Sequence, residues 1–300
     1  MLPEKYKTQT SLCLDQLWSV WCSLGVYSEG KISSMAPEEA IVGLCIFGRY
    51  EQRLFDEALT FILQYSRILS KNRLLYLIKK IDNDSKRVFQ VVAYFLEKMC
   101  FDKRFFSPSA ISEKVLEESF FTSFQNKISF SGKEIDPIFL QFGFRRNTFT
   151  ESEKLRNLTY ISEHNQWIKA KLLFGNTIRV DTIMELICNK NCTAPMIAFN
   201  TGYTQKSIWN VLTDLEFAGL IVGKKSFNRI VYSLSKDGEK LFSQFRLKTN
   251  PPNISNWIKL GHLISAFSKL PNSASDLLIQ SEEKRVKKLI NKLKIEKINF

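Results

Sequence analysis

Between Thr193 and Gly219 the chain carries two helix-start signals and two glycine stops in quick succession, and that punctuation leaves few folds open. Thr193 is placed to cap a short helix whose first turn contains Pro195, where a missing N–H costs nothing. Gly202 supplies a turn in a backbone conformation that side chains resist. Thr204 is the cap of a second helix running through about Ala218, and Gly219 suits the left-handed residue that closes it. Ile208, Leu212 and Leu215 recur on one face of that helix, with Val211 at its flank, which is the spacing of a buried stripe. Beyond it, Leu220–Val222 reads as a short strand, residues 223–229 as a hairpin loop and Ile230–Leu234 as the returning β-branched strand. Upstream, Trp167–Phe174 reads as a short helix closed by Gly175, and Ile178–Cys188 as a longer one.

The order helix, helix, glycine turn, helix, hairpin predicts a winged helix-turn-helix. The residues Ile197, Ala198, Thr201, Gly202, Thr204, Ile208, Leu212, Leu215, Gly219, Leu220 and Ile221 carry a closer likeness. In identity and spacing this stretch resembles prokaryotic winged-helix transcriptional regulators of the multiple-antibiotic-resistance and arsenical-repressor types. About 75 of the 300 residues are covered. Tyr203 stands where those regulators usually have an aliphatic residue, a mild departure.

The resemblance implies double-stranded DNA as partner and a second helix that enters the major groove. Thr204, Gln205, Lys206, Ser207, Trp209, Asn210 and Thr213 then face the DNA. Gln205 and Asn210 have the amide geometry to bond adenine bidentately, and Lys206 can reach guanine or phosphate. Trp209 has two readings: contact with thymine methyl groups or sugar, or packing against the N-terminal half so that the groove is blocked. Lys224, Lys225 and Arg229 on the wing would lie over a phosphate backbone or minor groove, adding affinity without sequence information. The competing reading is a winged helix used for protein contacts alone, as in an antitoxin-like or defence-system component.

Charge points the same way. The net charge is +13, and it is unevenly placed. Residues 1–165 hold 22 Lys and Arg against 20 Asp and Glu, residues 166–245 hold 10 against 6, and residues 246–300 hold 11 against 4. A basic half joined to a near-neutral half favours a polyanion partner for the basic half.

The chain divides into a helical domain at 1–100, a Phe-rich irregular connector at 101–165, the winged helix at 166–245 and basic C-terminal helices at 246–300. In the first, Leu14, Leu17, Trp18 and Trp21 have helical spacing, Pro37 opens a helix with Glu38 and Glu39 in its first turn, and three more helices fall near 52–65, 70–81 and 84–99, Ser70 capping the second of these. The connector has too many aromatics for a free linker (Phe120, Phe139, Phe142, Phe144 and Phe149 among them) and is expected to pack on one or both neighbours. Residues 254–270 read as a helix, and 281–299 as a basic amphipathic one with Val286, Leu289, Ile290, Leu293 and Ile298 against Lys284, Lys287, Lys288, Lys292, Lys294 and Lys297. Such flanking helices make a homodimer one option; packing on the chain's own N-terminal half or on a membrane surface are others. The N-terminal half also resembles, loosely, a helical region that precedes winged helices in uncharacterised prokaryotic proteins, through Leu17, Trp18, Leu24, Gly25 and Val26 and the Phe55–Ala58 helix. That resemblance implies architecture and names no ligand.

No phosphate-binding glycine loop, dinucleotide fingerprint or nucleophile elbow occurs, and with two histidines the commonest general base is nearly missing. Asp82/Asp84 and Glu117/Glu118 read as ordinary loop or helix-surface charge. Cys188 and Cys192 lack a second ligand pair, so no metal and no cofactor are expected, and the six cysteines read as reduced thiols. No apolar run is long enough to span a membrane and no signal peptide precedes the fold, so the expectation is a cytoplasmic, mainly α regulator rather than an enzyme.

Overall fold

Ten of the eleven residues of the helix Pro37–Phe47 are buried, and the fold is arranged around it. A helix apolar on nearly every side has to lie inside a protein. The computed structural model, which describes residues 3–27, 30–106, 117–123, 132, 134–247, 250–271 and 275–293, is mainly helical. Its first elements are α1 (Glu4–Ser23), α2 (Pro37–Phe47), α3 (Gln52–Tyr65), α4 (Lys71–Ile78) and α5 (Asn83–Cys100). Pro37 sits in the first turn of α2, Ser70 accepts the Arg73 N–H to cap α4, and Asp82 accepts the Ser85 N–H at 3.0 Å to cap α5. Asp82 is therefore a buried cap and not the surface charge expected from its loop-like sequence.

The connector packs on this N-terminal body. A two-residue parallel pairing joins β1 (Glu118–Ser119) to β2 (Phe144–Arg145), with α6 (Pro137–Leu140) between them. Phe120, Phe139, Phe142 and Phe144 are buried in the same core as α3 and α5. Phe120 meets Phe55 and Phe139 edge-on, each at 4.7 Å between ring centres. Each such fully buried aromatic contributes about 1.5–3 kcal/mol by leaving water, which explains why a stretch with so little regular structure holds its place. The expected turn residue Ser131 and the aromatic Phe124 lie outside the described residues.

From α7 (Leu158–His164) the chain enters a second unit through Asn165. That fully buried side chain caps α8 (Gln166–Phe174) by accepting the Ile168 N–H, and its amide donates to Ser23 Oγ and the Met35 carbonyl. There follow α9 (Ile178–Cys188), α10 (Ala194–Thr201), α11 (Gln205–Phe217), a hairpin of β3 (Ile221–Ser226) and β4 (Arg229–Leu234), and α12 (Lys236–Leu241). Thr193 and Thr204 cap α10 and α11, and Gly202 (φ +79°) and Gly219 (φ +72°) adopt the left-handed conformation expected of them. Ahead of α10, Cys192 makes an antiparallel bridge to Tyr232, adding a short third chain beside the hairpin. Trp167, Ile183, Ile197, Ile208, Leu212, Leu215, Ile221 and Tyr232 belong to a core of this unit's own.

The chain then returns to the N-terminal body. On α13 (Ile254–Ser268), Trp257 packs edge-on against Phe47, and a Cβ at Gly43 would overlap its ring. Phe267 lies against Tyr6. Val286 and Ile290 of α14 (Asp276–Lys292) are buried in the same core, and Glu283 holds Lys5 and Tyr6 at 2.7 and 2.8 Å. So these helices seal the body, with Lys284, Lys287 and Lys288 turned outward. Lys294, Lys297 and Ile298 lie outside the described residues. No helix among the described residues is long and apolar enough to cross a membrane.

Candidate nucleic-acid interface

The two faces of α11 are sharply different. Ile208, Val211, Leu212 and Leu215 are buried, whereas Gln205, Lys206 and Asn210 are exposed and Ser207 and Thr213 half-buried. Thr204 is spent locally, its Oγ accepting the Ser207 N–H at 3.2 Å and sharing a hydrogen bond with Ser207 Oγ at 2.8 Å. Helical spacing lines up Lys206, Asn210, Thr213 and Phe217 on one stripe, with Gln205 and Trp209 beside it. Trp209 is 52% exposed, so of its two readings the one that packs it away against the N-terminal half is not realised. Asp214, on the same helix, is neutralised by Arg179 of α9 at 2.7 Å.

The hairpin departs from its sequence reading. The strands run on to Ser226 and resume at Arg229, so the turn is Phe227–Asn228 alone and Lys224, Lys225 and Arg229 are strand residues, not loop residues. Cross-strand partners share a face and successive residues alternate. Lys224 pairs with Val231 and Ser226 with Arg229 on one face; Lys225 pairs with Ile230 on the other, which is continuous with buried Ile221 and Tyr232. The three cations are exposed but straddle the ribbon. Residues 217–236 contain no Asp or Glu, but Glu216 of α11 lies against the hairpin, its Oε1 accepting the Gly223 N–H at 2.9 Å on the Lys225 face.

What holds α11 outward is a buried ionic seam between the unit and the N-terminal body, which sequence reading missed. Arg73 of α4, 1% exposed, pairs with Glu39 at 2.9 Å and lies 3.7 and 3.6 Å from Asp181 and Glu185 of α9. Burial alone would pull its guanidinium down, but the carboxylates led by Glu39 more than reverse this and hold it above its ordinary value. Lys171 of α8 pairs with Glu38, both buried, and also donates to the Ile68 carbonyl and Asn176. Burial pushes the Asp181 carboxyl up from its usual range, against the pull of Arg73. Glu38 and Glu39 were expected to serve the dipole of α2; they serve this seam. The available signal was two acids inside an otherwise apolar helix, since buried charges demand partners.

A second set of contacts fixes the turn before α11. Tyr203 donates to Asp181 Oδ2 at 3.1 Å and takes a hydrogen bond from Ser70 Oγ at 3.1 Å. Tyr76 donates to the Phe199 carbonyl at 2.6 Å, and a Cβ on Gly202 would run into its ring. Lys80 lies 4.0 Å over Tyr76 and 4.3 Å over Phe199. The body thus grips the α10 side of the helix pair and leaves the outward face of α11 open.

The acidic pairs elsewhere are committed to partners. A cleft of about 820 Å³ in the N-terminal body is lined by Asp82, Asp84, Glu117 and Glu118. Asp82 caps α5, Asp84 accepts from Ser265, Glu117 pairs with Arg145, and Glu118 with Arg49 and Arg87. No group of three or more His, Cys, Asp or Glu among the described residues is arranged to hold a metal ion. Neither a family model, nor a curated protein, nor a solved structure matches the chain.

Proposed function

We propose that residues 166–245 form a winged helix-turn-helix that binds double-stranded DNA, and that the chain is a sequence-specific transcriptional regulator. One observation carries this reading: Gln205, Lys206, Trp209 and Asn210 are displayed together on α11, beside a hairpin with three exposed cations, while the buried face of α11 is spent on the core. Amide side chains can read adenine and Lys206 can read guanine in the major groove, and Lys224, Lys225 and Arg229 would meet phosphates. No catalytic step is part of this reading.

The test is a salt titration of binding to random duplex DNA by wild type, by Lys206→Ala/Asn210→Ala and by Lys224→Ala/Lys225→Ala. Three wing phosphates give a slope of log K against log salt of roughly −2.7. Both double variants should weaken binding, and the wing variant should also flatten the slope. If wild type ignores DNA at low salt, the reading fails and α11 is a protein-docking surface. The 86% exposed Phe217 and the exposed Val222 are the observations that favour that second reading.

A further inference from the structure

The most exposed large side chain on the hairpin is an aromatic held in a conformation that aromatics avoid. Phe227 is 96% exposed at the hairpin tip, with φ +52°. Asn228 has no positive φ, so the turn has its left-handed residue at the first central position only, where glycine is the ordinary occupant. A bulky residue there is a backbone outlier, and the apolar ring gains nothing from solvent. Phe101 shares both features, at φ 55° and 86% exposed, but its job is visible: it is the left-handed residue that closes α5, letting the Asp102 N–H donate to the Leu96 carbonyl at 3.0 Å, beside Asp102 and Lys103 of opposite charge. Phe227 stands instead among cations, Lys224 and Arg229 on one face of the ribbon and Lys225 on the other, four residues beyond Gly223, where the Glu216 carboxylate meets the ribbon.

We propose that Phe227 is a wedge that enters the minor groove of the bound duplex and partly unstacks one base step. The proposal rests on the DNA reading above. Cations on both faces of a two-stranded ribbon match a tip inserted edge-on, with a phosphate backbone on either side. The flat apolar ring at the apex then meets the one apolar target that this polyanion offers, the faces of its stacked bases. Opening a step is cheapest at pyrimidine–purine steps and dearest in stiff A-tracts, so the wedge would add a preference for sequence that no base-edge contact supplies.

The experiment uses the full chain and two duplexes of equal length, one of alternating T–A steps and one an A-tract, each labelled at both ends for energy transfer. Wild type, Phe227→Gly and, as control, Phe101→Gly are titrated at several salt concentrations. Wild type should bind the T–A duplex about tenfold more tightly than the A-tract and shorten its end-to-end distance. Phe227→Gly should lose both the preference and the bend yet keep the salt slope, and Phe101→Gly should match wild type. Glycine suits both turns, so melting temperatures no lower than wild type will show that the variants are folded. Retention of preference and bend by Phe227→Gly overturns the wedge alone. A flattened salt slope in that variant also overturns it, because the ring would then only position the cations. If wild type binds neither duplex, the DNA reading itself has failed and the wedge falls with it.

Discussion

The guanidinium of Arg73 lies 4.5 Å over the centre of the Trp167 ring. One residue belongs to the N-terminal body and the other to the unit that displays α11, so this stack, with the carboxylates around it, fixes their relative orientation. Arg73→Met keeps the bulk of the chain but leaves Asp181 and Glu185 buried without the guanidinium that joins them to Glu39. Removing one partner of a buried ion network typically costs about 3–5 kcal/mol. Urea unfolding should show a loss of that order, and Arg73→Lys should recover only part of it because ammonium cannot stack as a plane. A loss under about 1 kcal/mol for Arg73→Met would mean that the seam carries no stability.

Tyr203→Phe removes one hydroxyl that serves both Ser70 and Asp181. Thermal unfolding should report a loss of about 1–2 kcal/mol, because the Asp181 oxygen is left without its donor in a buried site. Low-salt affinity for duplex DNA should not change, since the outward face of α11 is untouched. A selective fall in affinity at unchanged stability would contradict this.

Lys80 gives a pH dependence with a definite sign. Burial lowers its pKa from 10.5 to about 8, with Glu39 opposing. Below pH 8 both folded and unfolded chains carry the proton. Between pH 8 and 10.5 the folded chain releases it first, so stability rises with pH across that window. Compared with Lys80→Met, wild type should gain about 1 kcal/mol, less than the full linkage figure because solvent screens a side chain that is only partly buried. A flat difference across the window would show that the rings of Tyr76 and Phe199 keep the ammonium charged.

Lys224 and Lys225 point to opposite faces of the hairpin, so their contributions to DNA binding should be independent. Each single alanine variant should flatten the salt slope by about 0.9, and the pair by about 1.8. If Lys225→Ala leaves the slope unchanged, the ribbon lies flat on the duplex through its Lys224 face and is not inserted edge-on.

Local signals in the sequence were enough to place most elements. Caps at Ser70, Thr193 and Thr204, glycines at 202 and 219 and the Ile208–Leu212–Leu215 stripe marked their helices closely, because each acts within one or two turns. The hairpin turn was drawn too wide because Phe227 is not a residue that announces a tight turn, and the lysines before it look like loop. Glu38, Glu39, Arg73, Lys171 and Asp181 could not be joined from sequence. Their partners lie some 34 to 133 residues apart, and although two acids in an otherwise apolar helix signal that partners exist, nothing local says which residues they are. Tyr203 looked like a small departure from an aliphatic position, yet its hydroxyl is what ties that position to the N-terminal body.

The packing of Trp257 into the notch left by Gly43 has a consequence for synthesis. The N-terminal helices leave the ribosome first, but the groove between α1 and α2 stays unroofed until the segment around residue 257 has emerged. The unit that presents α11 has its own core and can close before then. During that interval the proposed DNA-binding surface would stand on a nascent chain whose body is still open and whose apolar helices are exposed to capture by chaperones.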